Sequence, residues 1–158
     1  MQTCRGTANR KGQCMSDTYL VAVDGSEGSL RAVEFATERA LASKAKLLLA
    51  YVIEWSPYSF HTPDELAERH KRREEEISRA QSKVLDPLVA AARGKGCDVE
   101  VFVRHGHPSQ TLVELAEANK ATQMFIGRKG DSRIATLLFG SVAGALVQTS
   151  PVPVTVVP

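Results

Sequence analysis

The chain has 158 residues, with 20 Lys and Arg against 18 Asp and Glu, and it is 43% hydrophobic and 24% charged. That length suits one domain burying roughly two thirds of the surface its unfolded form exposes, and the composition excludes collagen-like and low-complexity classes. The longest wholly apolar run, Leu47 to Ile53, is seven residues, where crossing a bilayer takes about 20, so no membrane partner is expected.

The charge is unevenly placed. Arg5, Arg10 and Lys11 stand among residues 1–14 without an acid, so the rest of the chain is at net −1 against +2 for the whole. A nearly neutral body lacks the clustered basic face a nucleic-acid binder needs. Residues 1–16 show no hydrophobic period and are rich in Gly, Asn, Gln, Thr and Lys, which reads as a disordered extension ahead of a domain over 17–158. The extension lacks the apolar core of a secretory signal, and Met15-Ser16-Asp17 reads as a natural start. Cys4, Cys14 and Cys97 form no C-x-x-C pair, the pattern of reduced thiols in a cytoplasmic protein.

The first strand is expected at Tyr19 to Val23, ending in the turn Asp24-Gly25-Ser26. Ser26 is placed to cap a helix with Glu27 in its first turn, and Leu30, Val33, Ala36 and Ala40 recur along one face. Leu47 to Ile53 reads as a strand covered on both sides. Thr62-Pro63-Asp64-Glu65 opens the longest helix, with a cap, a proline at the first position and a glutamate three residues after the threonine. Its charged stretch resolves into the i,i+4 pairs Glu65/Arg69, Glu68/Arg72, Lys71/Glu75 and Arg72/Glu76, a solvated face rather than a phosphate-binding one. Pro87 is expected to kink or break this helix, and Gly94 or Gly96 to end it.

Val99 to Arg104 alternates as a third strand, and Pro108 to Asn119 carries Leu112, Leu115 and Ala116 at helical spacing. Met124-Phe125-Ile126 is a fourth strand, Gly140 to Thr149 a short helix weakened by Gly144, and Val152 to Val157 a last strand. The alternation predicts an α/β fold: a single doubly wound domain, with a five-stranded, mostly parallel sheet and helices on both faces. Such sheets bind ligands beyond the carboxyl ends of their strands, where the strand order reverses. Three turns qualify, after Val23, after Val52 and after Ile126.

The third turn is the most telling. It reads Gly127-Arg128-Lys129-Gly130, then nine residues, then Gly140-Ser141. Glycines let backbone N–H groups approach an anion closely, and Gly140-Ser141 opens a helix whose first N–H groups are unpaired and lie at the positive end of its dipole. Such a loop suits a polyphosphate, with the Ser141 hydroxyl as a further donor and Arg128 and Lys129 as counter-charge. His105-x-His107 offers two potential metal ligands without a third, so no metal site is expected.

This Gly-2x-Gly-9x-Gly-Ser spacing resembles the ATP-binding branch of the universal stress protein family. So do Val21-Ala22-Val23-Asp24-Gly25-Ser26, Ala50-Tyr51-Val52-Ile53, and Leu137-Leu138-Phe139-Gly140-Ser141-Val142 followed by Pro151-Val152-Pro153-Val154. The resemblance covers residues 17–158 and implies a Rossmann-like fold of the adenine nucleotide α-hydrolase type. It implies that Asp24 and Val52 contact the nucleoside, with Ala22 bordering the pocket. Phosphate contacts map onto Gly127, Gly130, Gly140, Ser141 and the Val142 N–H, with Arg128 and Lys129 beside them.

The implied ligand is ATP with Mg2+ bound through its phosphates. The implied assembly is a homodimer through strand 152–157, and the implied place is the cytoplasmic stress response. An apolar last strand left open would be an aggregation hazard, which pairing with a second copy removes. Hydrolysis is expected to be slow at most, because nothing in the nucleotide turns orients water. The family's other branch, a nucleotide-free dimeric interaction module, is the alternative. An ATP-pyrophosphatase-type enzyme is a weaker one, since Asp24-Gly25-Ser26-Glu27-Gly28-Ser29 only loosely resembles the Ser-Gly-Gly-x-Asp-Ser turn of that class.

Overall fold

The computed structural model describes residues 17–54, 63–130 and 140–158. The expected disordered extension over 1–16 and the Thr62 cap lie outside the described residues, as do the side chains of the Glu65/Arg69 pair. In chain order the elements are β1 (Thr18–Val23), α1 (Glu27–Ser43), β2 (Lys46–Glu54), α2 (Pro63–Ala80), a π turn (Gln81–Leu85), α3 (Asp86–Gly94), β3 (Val99–Gly106), α4 (Pro108–Ala118), β4 (Gln123–Gly127), α5 (Ser141–Thr149) and β5 (Val154–Val157). The strands form one sheet in the order β3-β2-β1-β4-β5, parallel throughout. Strand order therefore reverses between β1 and β4.

Alternation along each strand divides the core into two layers. Tyr19, Val21, Val23, Leu47, Leu49 and Phe125 face the side covered by α1 and α3. Leu20, Ala22, Leu48, Ala50, Met124 and Ile126 face the side covered by α4 and α5. On this second face Leu20 pairs with both Leu48 and Met124, a rank of long side chains no more than 1% exposed. One step toward the carboxyl ends, Ala22 pairs with Ala50. Two short side chains now stand side by side, and the layer above them is left open.

Two elements differ in detail from the sequence expectation. The interruption expected at Pro87 takes the form of a π turn between α2 and α3, in which the Asp86 N–H donates to Gln81 O. Proline lacks the N–H that a regular turn would send to residue 83, and its ring crowds that carbonyl. Lengthening the bond to five residues absorbs the misfit and stacks Ala80 and Leu85, both buried, on one face. At the other end of the chain β5 begins at Val154 rather than Val152. Pro151 and Pro153 cannot donate to a ladder, and Val152 is instead held in a turn by Ser150 Oγ, which accepts from Val152 N–H at 3.3 Å and donates to Val152 O at 2.8 Å.

Gly94 ends α3, and Gly96 follows it in the left-handed region at φ 88°. Cys97 is a buried free cysteine whose thiol is pushed up by burial and then by the neighbouring Asp98.

Two glycines should respond oppositely to alanine. A Cβ at Gly144 meets nothing within 4 Å, so Gly144→Ala should stabilise the fold by about 1 kcal/mol through helix propensity alone. A Cβ at Gly127 would lie 2.5 Å from the Gly28 carbonyl carbon, so Gly127→Ala should destabilise it by about 1–3 kcal/mol. Urea unfolding of both variants checks the signs.

Candidate functional site

The opening above Ala22 and Ala50 is a cleft of about 280 Å³ at the carboxyl ends of β1, β2 and β4, where the strand order reverses. Its floor is apolar, built from Ala22, Ala50, Val52 and Ile126, with Pro108 and Leu112 of α4 as one wall. The opposite wall is mostly backbone, formed by Gly127, Lys129 and Gly130 after β4 and by Gly140, Ser141 and Val142 at the start of α5. Asp24, Ser26 and Glu54 stand on its rim.

The β1–α1 turn is locked by its own side chains. Asp24 Oδ1 accepts from Ser26 N–H at 2.9 Å and from Ser26 Oγ at 2.6 Å. Ser26 Oγ in turn accepts from the Ser29 N–H at 3.2 Å, the expected N-cap, and Ser29 Oγ donates to Ser26 O at 2.9 Å. The other carboxylate oxygen of Asp24 lies where a Gly130 side chain would begin: a Cβ there would sit 2.6 Å from Asp24 Oδ2. Asp24 thus serves as a turn residue and as the rim of the cleft at once.

The two helices that start beside the cleft differ in how their first N–H groups are met. The start of α1 is served by Ser26 and carries Glu27 in its first turn. The start of α5 has Gly140 as its cap, no side-chain cap hydrogen bond and no acid in its first turn. Its first N–H groups have no partner within the helix and carry the positive end of the dipole, about half an elementary charge. Gly140 is drawn back to the end of β4, its N–H donating to Arg128 O at 2.9 Å. The two glycine-containing segments, nine residues apart in sequence, therefore meet in space.

Nine of the ten sequence-selected residues line this cleft: Ala22, Asp24, Val52, Gly127, Lys129, Gly130, Gly140, Ser141 and Val142. Arg128 does not join the described residues that line it. Its backbone is engaged in the sheet, with its N–H donating to Val157 O at 2.7 Å, and its side chain is exposed. The sequence reading passed over Glu54, Ser29, Pro108 and Leu112. Glu54 had a signal, since Ala50, Val52 and Glu54 follow the two-residue period of a single strand face.

His107 caps α4 without a side-chain bond to its backbone; its Nδ1 lies 3.1 Å from Ser109 Oγ. His105 Nε2 lies 3.4 Å from Glu76 Oε2. Among the described residues, no three His, Cys, Asp or Glu side chains are grouped to hold a metal ion, and no helix is long and apolar enough to cross a membrane.

The Universal stress protein family model matches residues 15–158. Universal stress protein MJ0531 of Methanocaldococcus jannaschii is 28% identical over 155 residues, covering 94% of this chain and 85% of the relative. Among solved structures, universal stress protein UspA from Lactobacillus plantarum is similar with a TM-score of 0.78 at 21% identity, over 92% of this chain and 100% of the other. A universal stress protein crystallised in complex with cAMP is 32% identical, with a TM-score of 0.60 over 90% of this chain and 96% of that one.

Ser26 is the residue on which the β1–α1 turn depends. Ser26→Ala removes a helix cap and one hydrogen bond to the Asp24 carboxylate together, and should cost about 1–2 kcal/mol in urea unfolding at neutral pH.

Proposed function

Because the chain belongs to the universal stress protein family, we propose that its cleft binds an adenine nucleotide, ATP with Mg2+ on the phosphates. The protein then acts as a nucleotide-dependent homodimeric module of the cytoplasmic stress response. The observation that carries this reading is the start of α5, capped only by a glycine and opening onto the glycine segment of β4 across an apolar floor. An anion at a helix start satisfies N–H groups that nothing inside the helix can meet. A base needs an apolar slot with a few polar groups at its edge, and Ala22, Val52 and Asp24 provide one. The cAMP complex of a relative 32% identical adds support from outside the chain.

In this reading Gly127, Gly130, Gly140 and Ser141 hold the phosphates, with the Val142 N–H as a further donor and Lys129 adding positive charge. Mg2+ is assigned to the phosphate oxygens rather than to a protein cage.

We assign at most slow hydrolysis. The acids on the described cleft are Asp24 and Glu54. Asp24 is already engaged by Ser26. Glu54 ends β2, two strands and so about 10 Å across the sheet from β4, which leaves it on the nucleoside side. Neither is set to orient water at a terminal phosphate.

The dimer is assigned to β5, an edge strand whose only sheet neighbour among the described residues is β4. Val152, Val154 and Val156 are only partly covered, and pairing with a second copy would satisfy the open edge.

Calorimetric titration with Mg-ATP should show saturable binding, and Gly130→Glu, which sets a charged side chain against Asp24 and the phosphates, should weaken it at least 100-fold. An absence of heat from the parent protein at millimolar nucleotide would retire the ATP assignment. Light scattering should give twice the chain mass for the intact protein and the single mass after Val154→Arg; an intact monomer would retire the dimer.

A further inference from the structure

The helix after β2 carries an insertion that the cleft does not obviously need. Pro87 explains why a regular turn fails there, but not what the inserted turn presents to its surroundings. The five-residue step brings Val84 and Leu85 inward together. Leu85 is fully buried in the layer beneath α1, and Val84 is half-buried against the same layer.

Val84 also reaches the β1–α1 turn. A Cβ built on Gly25 would lie 3.4 Å from Val84 Cγ2 and 3.7 Å from Val84 Cγ1, so the isopropyl group occupies the space beside the glycine. Gly25 is in the left-handed region at φ 83° and stands between Asp24, which lies against Gly130, and Ser26, which holds Asp24 Oδ1. Glycine reaches many backbone conformations at similar cost. Its neighbours therefore select one: Ser26 and Asp24 through their hydrogen bonds, and Val84 as the side chain packed where a substituent on Gly25 would point.

We propose that the π turn is a support for the nucleotide site, in which Val84 keeps the Gly25 turn in its left-handed form and so fixes the Asp24 carboxylate beside the phosphate loop. Val84 touches no ligand; it is a positioning residue acting through Gly25 on Asp24. The inference rests on the reading of the cleft as a nucleotide site. Truncating Val84 opens a void beside Gly25, the turn visits other conformations, and apparent affinity falls with the fraction of time Asp24 is in place. Single-turn π insertions are often found at functional sites, and this one lies against the turn that rims the cleft.

The test compares Val84→Ala, Val84→Ile and Leu88→Ala with the parent protein. Leu88 packs on the same layer one turn further along α3, so its truncation reports core loss in the same helix. Calorimetry with Mg-ATP should show Val84→Ala about five- to tenfold weaker, with Val84→Ile within about twofold of the parent. Leu88→Ala should keep its affinity even where urea unfolding shows it at least as destabilised. Equal weakening by the Val84 and Leu88 truncations, or none by either, overturns the proposal.

Amide exchange of the nucleotide-free proteins separates this from the ligand assignment. Val84→Ala should speed exchange at Ser26 and Ser29, whose N–H groups bond within the turn, while Leu88→Ala should not. A parent protein silent toward Mg-ATP sinks the nucleotide reading, and with it the affinity arm. The exchange arm then decides whether Val84 holds the turn, and unchanged exchange overturns that as well.

Discussion

The site depends on one close approach, that of the first turn of α1 to the end of β4. A side chain at Gly127 would begin 2.5 Å from the Gly28 carbonyl carbon and 2.9 Å from the Ser29 nitrogen, and one at Gly28 would begin 2.5 Å from Lys129 O. Only glycine on both sides lets the two backbones come this near. The approach carries the Asp24-Gly25-Ser26 turn across the point where strand order reverses and sets it against the loop after β4. It also makes the wall of the cleft out of main chain. Peptide groups present N–H donors at fixed positions without rotamer entropy to lose, which suits an anion better than a fringe of mobile lysines.

The two helix starts at this corner divide the work. At α1 the sequence supplies Ser26 as cap and Glu27 as an anion in the first turn, so the dipole and the leading N–H groups are answered within the chain. At α5 it supplies Gly140 and then Ser141, Val142 and Ala143, with neither a capping side chain nor an acid. Capping a helix start with Gly rather than Ser or Asp forgoes about a few tenths of a kcal/mol. The structure forgoes it at the helix beside the glycine loop and not at the one beside Asp24. Polarity across the cleft follows: main-chain donors at the β4 and α5 side, carboxylates at the rim formed by β1 and β2, and a floor of Ala22 and Ala50 between them.

Most of this was legible in the sequence, for identifiable reasons. Strands covered on both faces leave continuous apolar runs, so Leu47 to Ile53 could hardly be anything else. The Ser26 cap and the Gly94 stop are local signals, written within a few residues of where they act. The glycine spacing marked the loop because backbone approach leaves so few residue types usable. What failed was what depends on neighbours distant in sequence. Pro87 marks where the regular helix is interrupted but not the form of the interruption, since the π turn is favoured by the burial of Ala80 and Leu85 against other elements. Arg128 and Lys129 are adjacent and both basic, and of the two only Lys129 is among the described residues that line the cleft. Helical spacing marks Leu112 as a buried position, but it and Pro108 form a wall only once α4 has folded over the sheet.

The pairing of Arg128 has a consequence for the relation between the cleft and the sheet edge. Its N–H donates to Val157 O and its carbonyl accepts from Gly140 N–H, so one residue closes the last rung of β4 with β5 and anchors the start of α5. The far end of β5 is tied in turn to α1, where Arg31 Nε donates to Pro158 O at 2.8 Å, one turn beyond the Ser26 cap. The phosphate loop, the capped start of α1 and the edge strand thus share a short chain of hydrogen bonds rather than sitting on separate parts of the fold. A displacement of Gly140 must be taken up at Arg128 or passed to Val157, because interiors packed at this density transmit strain rather than absorb it. The backbone that shapes the cleft also sets the register of the edge strand.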